Sequence, residues 1–181
     1  MNAAAAEALA TRHGAGLWLV PHQPESGPWL THPARVAALM SELVVACAGR
    51  PLAGAAQQDE ALALAWVCDL LADTEIGVAA TNAALGRNLG ALTRMASREV
   101  RGVEKTRKSA EVYWRVVGRG PVSVRAAAAC TLLARMETAR RWPDRLDLGA
   151  LCAEGVTLAP PHLVDLPALA RALRAVVAAC Q

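Results

Sequence analysis

Phenylalanine is absent from this 181-residue chain, and tyrosine occurs once. Strand formers are therefore scarce, alanine is abundant, and apolar residues recur at helical spacing, so the sequence predicts an all-α fold. No apolar run is long enough to cross a bilayer, so no membrane association is expected. The Ala-rich start carries Glu7 and Arg12 and lacks the apolar centre of a secretion signal. Cysteines stand at 47, 68, 130, 152 and 180, an odd number with no C-x-x-C pair, which suits reduced thiols in a cytoplasmic protein.

A phosphate-cradling glycine loop is also missing. Gly14-Ala15-Gly16 precedes neither a strand–helix junction nor a Lys-Ser/Thr pair, and Gly118-Arg119-Gly120 reads as a turn between helices. No internal repeat or low-complexity linker divides the chain, and residues 1–181 are expected to form one domain with ample length for a core.

After Pro33, the residues Val36, Leu39, Met40, Leu43, Val44 and Cys47 form the one-sided stripe of an amphipathic helix. Thr31 is placed to cap its start, and Pro33 lacks the N–H that a first turn leaves unpaired. His32 thus stands at a helix entrance. From Ala61 to Leu71 nearly every residue is apolar, which predicts a helix buried on most sides. Asp69 and Asp73 interrupt it at i, i+4 spacing on one face, and a buried carboxylate requires a hydrogen bond, a counter-charge or a metal. From spacing alone, helix capping and pairing with arginine are the simpler roles.

Further helices are predicted at Asn2–Arg12, Val78–Leu85, Arg87–Ser97, Ser109–Val117, Val122–Arg141 and Pro167–Ala179. The Pro/Gly-rich stretch Pro21–Pro28 and the stretch Gly49–Gln58 read as loops, the second as an insertion.

Taken in order, Arg12-His13-Gly14, Trp29-Leu30-Thr31-His32-Pro33, Cys68-Asp69-Leu70-Leu71-Ala72-Asp73-Thr74, Leu85-Gly86 and Val124-Arg125-Ala126-Ala127-Ala128 resemble the motif series of HD-domain alarmone (ppGpp) hydrolases of the Rel/Spo type. The likeness is to their small stand-alone members and runs from about residue 5 to 136, with a further helix at about 166–180. It implies an HD-type helical bundle. It places His32 and Asp69 at metal-ligand positions, Cys68 where the pattern has His, and Asp73 beside the catalytic acid/base position, which is Ala72. Ala128 stands where the last ligand Asp is expected, Leu132 where an Asn is expected, and Leu17-Trp18-Leu19 where a basic nucleotide-gripping loop is expected.

A hydrolytic Mn²⁺ needs several hard ligands and open positions for water and phosphate. A His32, Cys68 and Asp69 set would suit Zn²⁺ better, and loss of a Glu at position 72 removes a base for water. The resemblance thus implies a pseudoenzyme with no required cofactor, and Mn or Zn as the metal if one is bound. On an apolar helix, Cys68 also reads simply as a small buried hydrophobe.

Charge is nearly balanced at +3, but nine of the basic residues and only three acids fall between Arg87 and Arg119, including both lysines. By the resemblance, this segment flanks a nucleotide pocket, making Arg101, Lys105 and Lys108, with Arg125, candidates for binding a guanosine polyphosphate or another phosphorylated nucleotide. A solvated helix face is the plainer reading, and nucleic acid is not expected as a partner.

Three functions compete. The first is a hydrolytically dead domain that binds nucleotide or protein. The second is an active phosphohydrolase rebuilt on His32, Cys68, Asp69 and Asp73, with Asp144 or Asp147 as a further ligand. The third is a helical interaction module or homodimer using the Pro167–Ala179 helix, Trp18 or Trp29.

Overall fold

A long, alanine-rich helix organises the molecule. Helix α8 (Val122–Arg141) is buried on nearly all sides, through Val124, Ala126 to Ala129, Cys130, Leu133 and Met136. Its small side chains let neighbouring backbones approach closely, and an all-round apolar surface has no stable place except the centre. The computed structural model describes residues 2–20, 22–47, 52, 54–100, 106–143 and 146–180.

Around α8 pack α2 (Thr31–Met40), α3 (Ala55–Val67), α6 (Arg87–Ala96), α7 (Ala110–Gly118), α9 (Leu148–Ala153) and α10 (Pro167–Ala178), while α1 (Ala3–Gly14) lies on α3. Helix α5 (Val78–Leu85) pairs with α6. Of the structure, 71% is helical and 7% is strand, which makes the fold all-α. One continuous cluster of buried apolar side chains runs from Ala6 to Val177.

Most helix boundaries match the hydrophobic periodicity, including those of α5 and α8. The expected loop at 21–28 instead contains most of a hairpin, β1 (Trp18–Val20) with β2 (Gln23–Pro28), which carries a bulge between Trp18 and Val20. A second short ladder joins β3 (Glu99–Val100) to β4 (Thr106–Arg107). The loop expected over 49–58 ends early, because α3 already begins at Ala55.

The hairpin positions the next segment. Its ladder continues as Trp29 N–H donates to the Leu17 carbonyl at 2.9 Å, and His32 N–H then donates to the Trp29 carbonyl at 2.9 Å. Thr31 does not cap α2 as expected; its hydroxyl donates to the Pro28 carbonyl at 2.8 Å and closes the turn before the helix. Helix α2 runs on into a single π-helical turn, Ser41–Val45.

The helix expected through Leu71 is broken. It stops at Val67, Asp69 adopts φ −95°, ψ −1°, and α4 (Leu70–Asp73) adds only one more turn. The Ala72 N–H bonds the Asp69 carbonyl, and the Cys68 carbonyl left out of the helical ladder is taken by the Ser97 hydroxyl. The break is thereby satisfied, as a buried backbone carbonyl must be.

Candidate functional site around Asp69

Asp69 is 5% exposed, at the junction of α3 and α4. Its Oδ2 accepts from His32 Nε2 at 2.8 Å and its Oδ1 from Arg135 Nη2 at 2.8 Å. Three elements therefore meet on one carboxylate: the start of α2, the α3–α4 break and α8. Burial alone would push this acid up, but the Arg135 guanidinium and the His32 hydrogen bond outweigh it and hold the carboxyl at about 2. The Arg135 pKa moves up in turn, chiefly through Asp69.

Asp73 behaves oppositely. Burial, reinforced by the neighbouring Asp69 charge, pushes its carboxyl above the ordinary range, although Trp29 Nε1–H donates to Oδ2 at 2.9 Å. Two carboxylates one helical turn apart are thus driven apart by environment: one ionised against a cation, the other biased toward its neutral form.

Cys68 is buried, its Sγ 3.1 Å from the Thr131 hydroxyl and 3.9 Å from Asp69 Oδ2. Burial and the adjacent Asp69 push the thiol well up, so Cys68 stays protonated and apolar in character. Among the described residues, no group of three or more His, Cys, Asp and Glu side chains is arranged to hold a metal ion. The residues gathered at Asp69 do not fit a hydrolytic cation, because a fixed guanidinium already sits on the carboxylate.

Beside this cluster lies a small cavity of about 20 Å³, whose walls include Asp69, Arg98, Tyr113, Ala128, Leu132, Arg135 and Glu154. Glu154, on the π-helical turn Glu154–Leu158, is 7% exposed. It accepts from Trp114 Nε1 at 2.7 Å and from Arg98 Nη1 at 2.9 Å. The Tyr113 hydroxyl donates to the Ala96 carbonyl at 2.8 Å, and burial, aided by the Asp69 charge, holds its pKa up.

The remaining sequence candidates are scattered. Arg125 is engaged elsewhere: both terminal nitrogens bond the Asp165 carboxylate, and Nη1 also reaches the His162 carbonyl. Lys108 donates to the carbonyls of Ser97 at 2.6 Å and Arg94 at 3.0 Å, finishing the C-terminal end of α6. Arg101, Lys105 and Asp144 lie outside the described residues. Asp147 caps α9 through Ala150 N–H at 2.8 Å rather than approaching Asp69 as a ligand. Of the two tryptophans named for a contact surface, Trp18 is 41% exposed but Trp29 is buried. His162 gains a partner the sequence did not suggest, stacking on the Trp114 ring at 6.2 Å.

Arg135, Arg98, Glu154 and Trp114 escape the motif comparison. Arg135 carried a partial signal: with Ala128 and Thr131 it falls at i, i+3 and i+7 on one face of α8, but that spacing names no partner for it. Glu154 carried none, since it reaches the cavity from a segment with no motif. The chain matches no protein-family model and no curated protein.

Proposed function

We propose that this protein is a degenerate HD-like domain that has given up phosphoester hydrolysis and acts by binding, with a phosphorylated nucleotide such as ppGpp as the class of ligand. The observation that carries the reading is the Arg135–Asp69 pair. Where a hydrolase of this type would hold a divalent ion, the carboxylate is neutralised by a cation belonging to the chain, with His32 on its second oxygen. A guanidinium supplies charge but neither an exchangeable water position nor Lewis acidity toward a bound hydroxide, so water activation lacks its source.

Further support comes from position. Ala128 and Leu132, matched to a lost ligand and a lost Asn, line the same cavity as Asp69, as the motif register requires. Asp73 is engaged by Trp29, and Ala72 offers no base. The binding role follows from the surviving scaffold with the chemistry removed, rather than from any bound molecule.

The test is release of pyrophosphate from ppGpp by the purified protein with Mn²⁺ and then Zn²⁺. No turnover under either metal is expected. Turnover that disappears in His32→Ala or Asp69→Ala would overturn the reading in favour of a rebuilt metal site.

A further inference from the structure

We propose that the cavity between Arg98 and Arg135 receives one oxygen of the terminal oxyanion group, phosphoryl or carboxylate, of a small ligand. This deepens the binding role above and rests on it. Each carboxylate oxygen in the cavity wall already accepts: Asp69 from His32 and Arg135, Glu154 from Trp114 and Arg98. The donors are not used up. Arg98 Nε–H is buried with no acceptor among the described residues, although the same guanidinium holds Glu154 through Nη1. Arg135 commits one nitrogen to Asp69, and its side chain remains 29% exposed beside the cavity.

A buried, unmatched N–H on a charged group is costly, and what it lacks is an acceptor. Guanidinium groups meet oxyanions through several N–H donors at once, with geometry that a point charge does not offer. The space is small, about 20 Å³, so it admits an oxygen-sized end of a ligand and leaves the body outside. Tyr113, whose hydroxyl is occupied by the Ala96 carbonyl, supplies a ring wall rather than a further donor. Arg135 lies outside both the motifs and the basic segment that suggested a nucleotide, while Arg98 lies in that segment but was not among the residues named for binding. The site is therefore assigned by its own chemistry.

The experiment is a titration of the full chain with inorganic phosphate and, separately, with acetate, against chloride at matched ionic strength. The arginine Nε–H resonances are followed by ¹H–¹⁵N NMR, and equilibrium dialysis with labelled phosphate or acetate gives the affinity independently. Arg98→Lys identifies the Arg98 signal by its loss, keeps the charge toward Glu154 and removes the Nε donor. A saturable shift of the Arg98 signal is expected with at least one oxyanion, and the tighter of the two names the group. Affinity should fall about tenfold or more in Arg98→Lys, as for loss of one charge-assisted hydrogen bond. Arg135→Lys provides a second variant with the same expectation. No oxyanion binding by the wild type, or equal affinity in both folded variants, would overturn the site. Absence of oxyanion binding without ppGpp turnover would leave the hydrolytically inactive reading intact, whereas turnover would overturn that reading itself.

Discussion

Arg135 Nη2 donates to Asp69 Oδ1 at 2.8 Å across 66 residues of sequence, joining the middle helix of the fold to the break between α3 and α4. Because His32 occupies the other oxygen, a buried acid is fully matched by side chains of the chain itself. A buried ion pair contributes little relative to an apolar replacement of both partners, but removing one partner strands the other.

Arg135→Met should therefore cost about 3 kcal/mol or more of stability, read by urea unfolding at neutral pH. Asp69→Leu combined with Arg135→Met should recover much of that loss. A single-site cost below about 1 kcal/mol would mean that water or another group supports Asp69 in place of Arg135.

Acid should expose the two aspartates with opposite signs. Asp69, held at about 2 against an ordinary value near 3.8, contributes stability that is complete above pH about 4 and lost as pH falls through 2. That amounts to roughly 2 kcal/mol, and Asp69→Asn should remove this part of the acid dependence. Asp73, whose pKa is raised, is penalised as pH climbs through and above the carboxylate range and relieved in acid. Asp73→Asn keeps an oxygen for Trp29 Nε1 and should leave neutral-pH stability equal or higher. Urea midpoints measured from pH 2 to 8 separate the two.

Gly14 ends α1 against the face of Trp29: a Cβ there would overlap the indole ring. Gly14→Ala should destabilise the protein by about 1–3 kcal/mol, the range for overpacking a filled interior. It should also displace Trp29 from Asp73, changing the environment of a buried tryptophan. Fluorescence compared with that of a Trp29→Phe control reads this displacement, and an unchanged spectrum would mean that α1 moves instead of the ring.

Thiol reactivity should divide by burial. Cys68 and Cys130 are buried and their pKa values are raised, chiefly by desolvation, so both should resist an aromatic disulfide reagent in the native protein. Cys47, Cys152 and Cys180 are partly exposed and should react first. All five should titrate in denaturant. Native labelling of Cys68 at a rate matching the exposed thiols would show that the Asp69 cluster opens readily.

The helices were legible because helical periodicity is a local property: the apolar stripe of α2, the all-apolar run of α3 and the long Val122–Arg141 pattern each mark a helix without reference to partners. The hairpin was not, since β1 is only three residues long and β2 is rich in turn-favouring Pro, Ser and Gly; its pairing leads the chain to Trp29, which is buried. His32, Asp69 and Asp73 could be picked out as polar residues on apolar segments, because burying charge without a partner is prohibitive.

The identity of those partners was beyond the sequence. Arg135 is one arginine among many until the packing of α8 against α2 and α3 sets it on Asp69. Arg98 and Glu154 meet across 56 residues only because the turn after α9 folds back over the cavity. Arg125 and Lys108, attractive as free cations on charge alone, are used by a carboxylate and by helix-end carbonyls. Composition and spacing determined that this chain is helical and that buried carboxylates would need counter-charges. Which cation neutralises which acid depends on distances of a few ångströms between segments far apart in the chain, and only tertiary packing decides those.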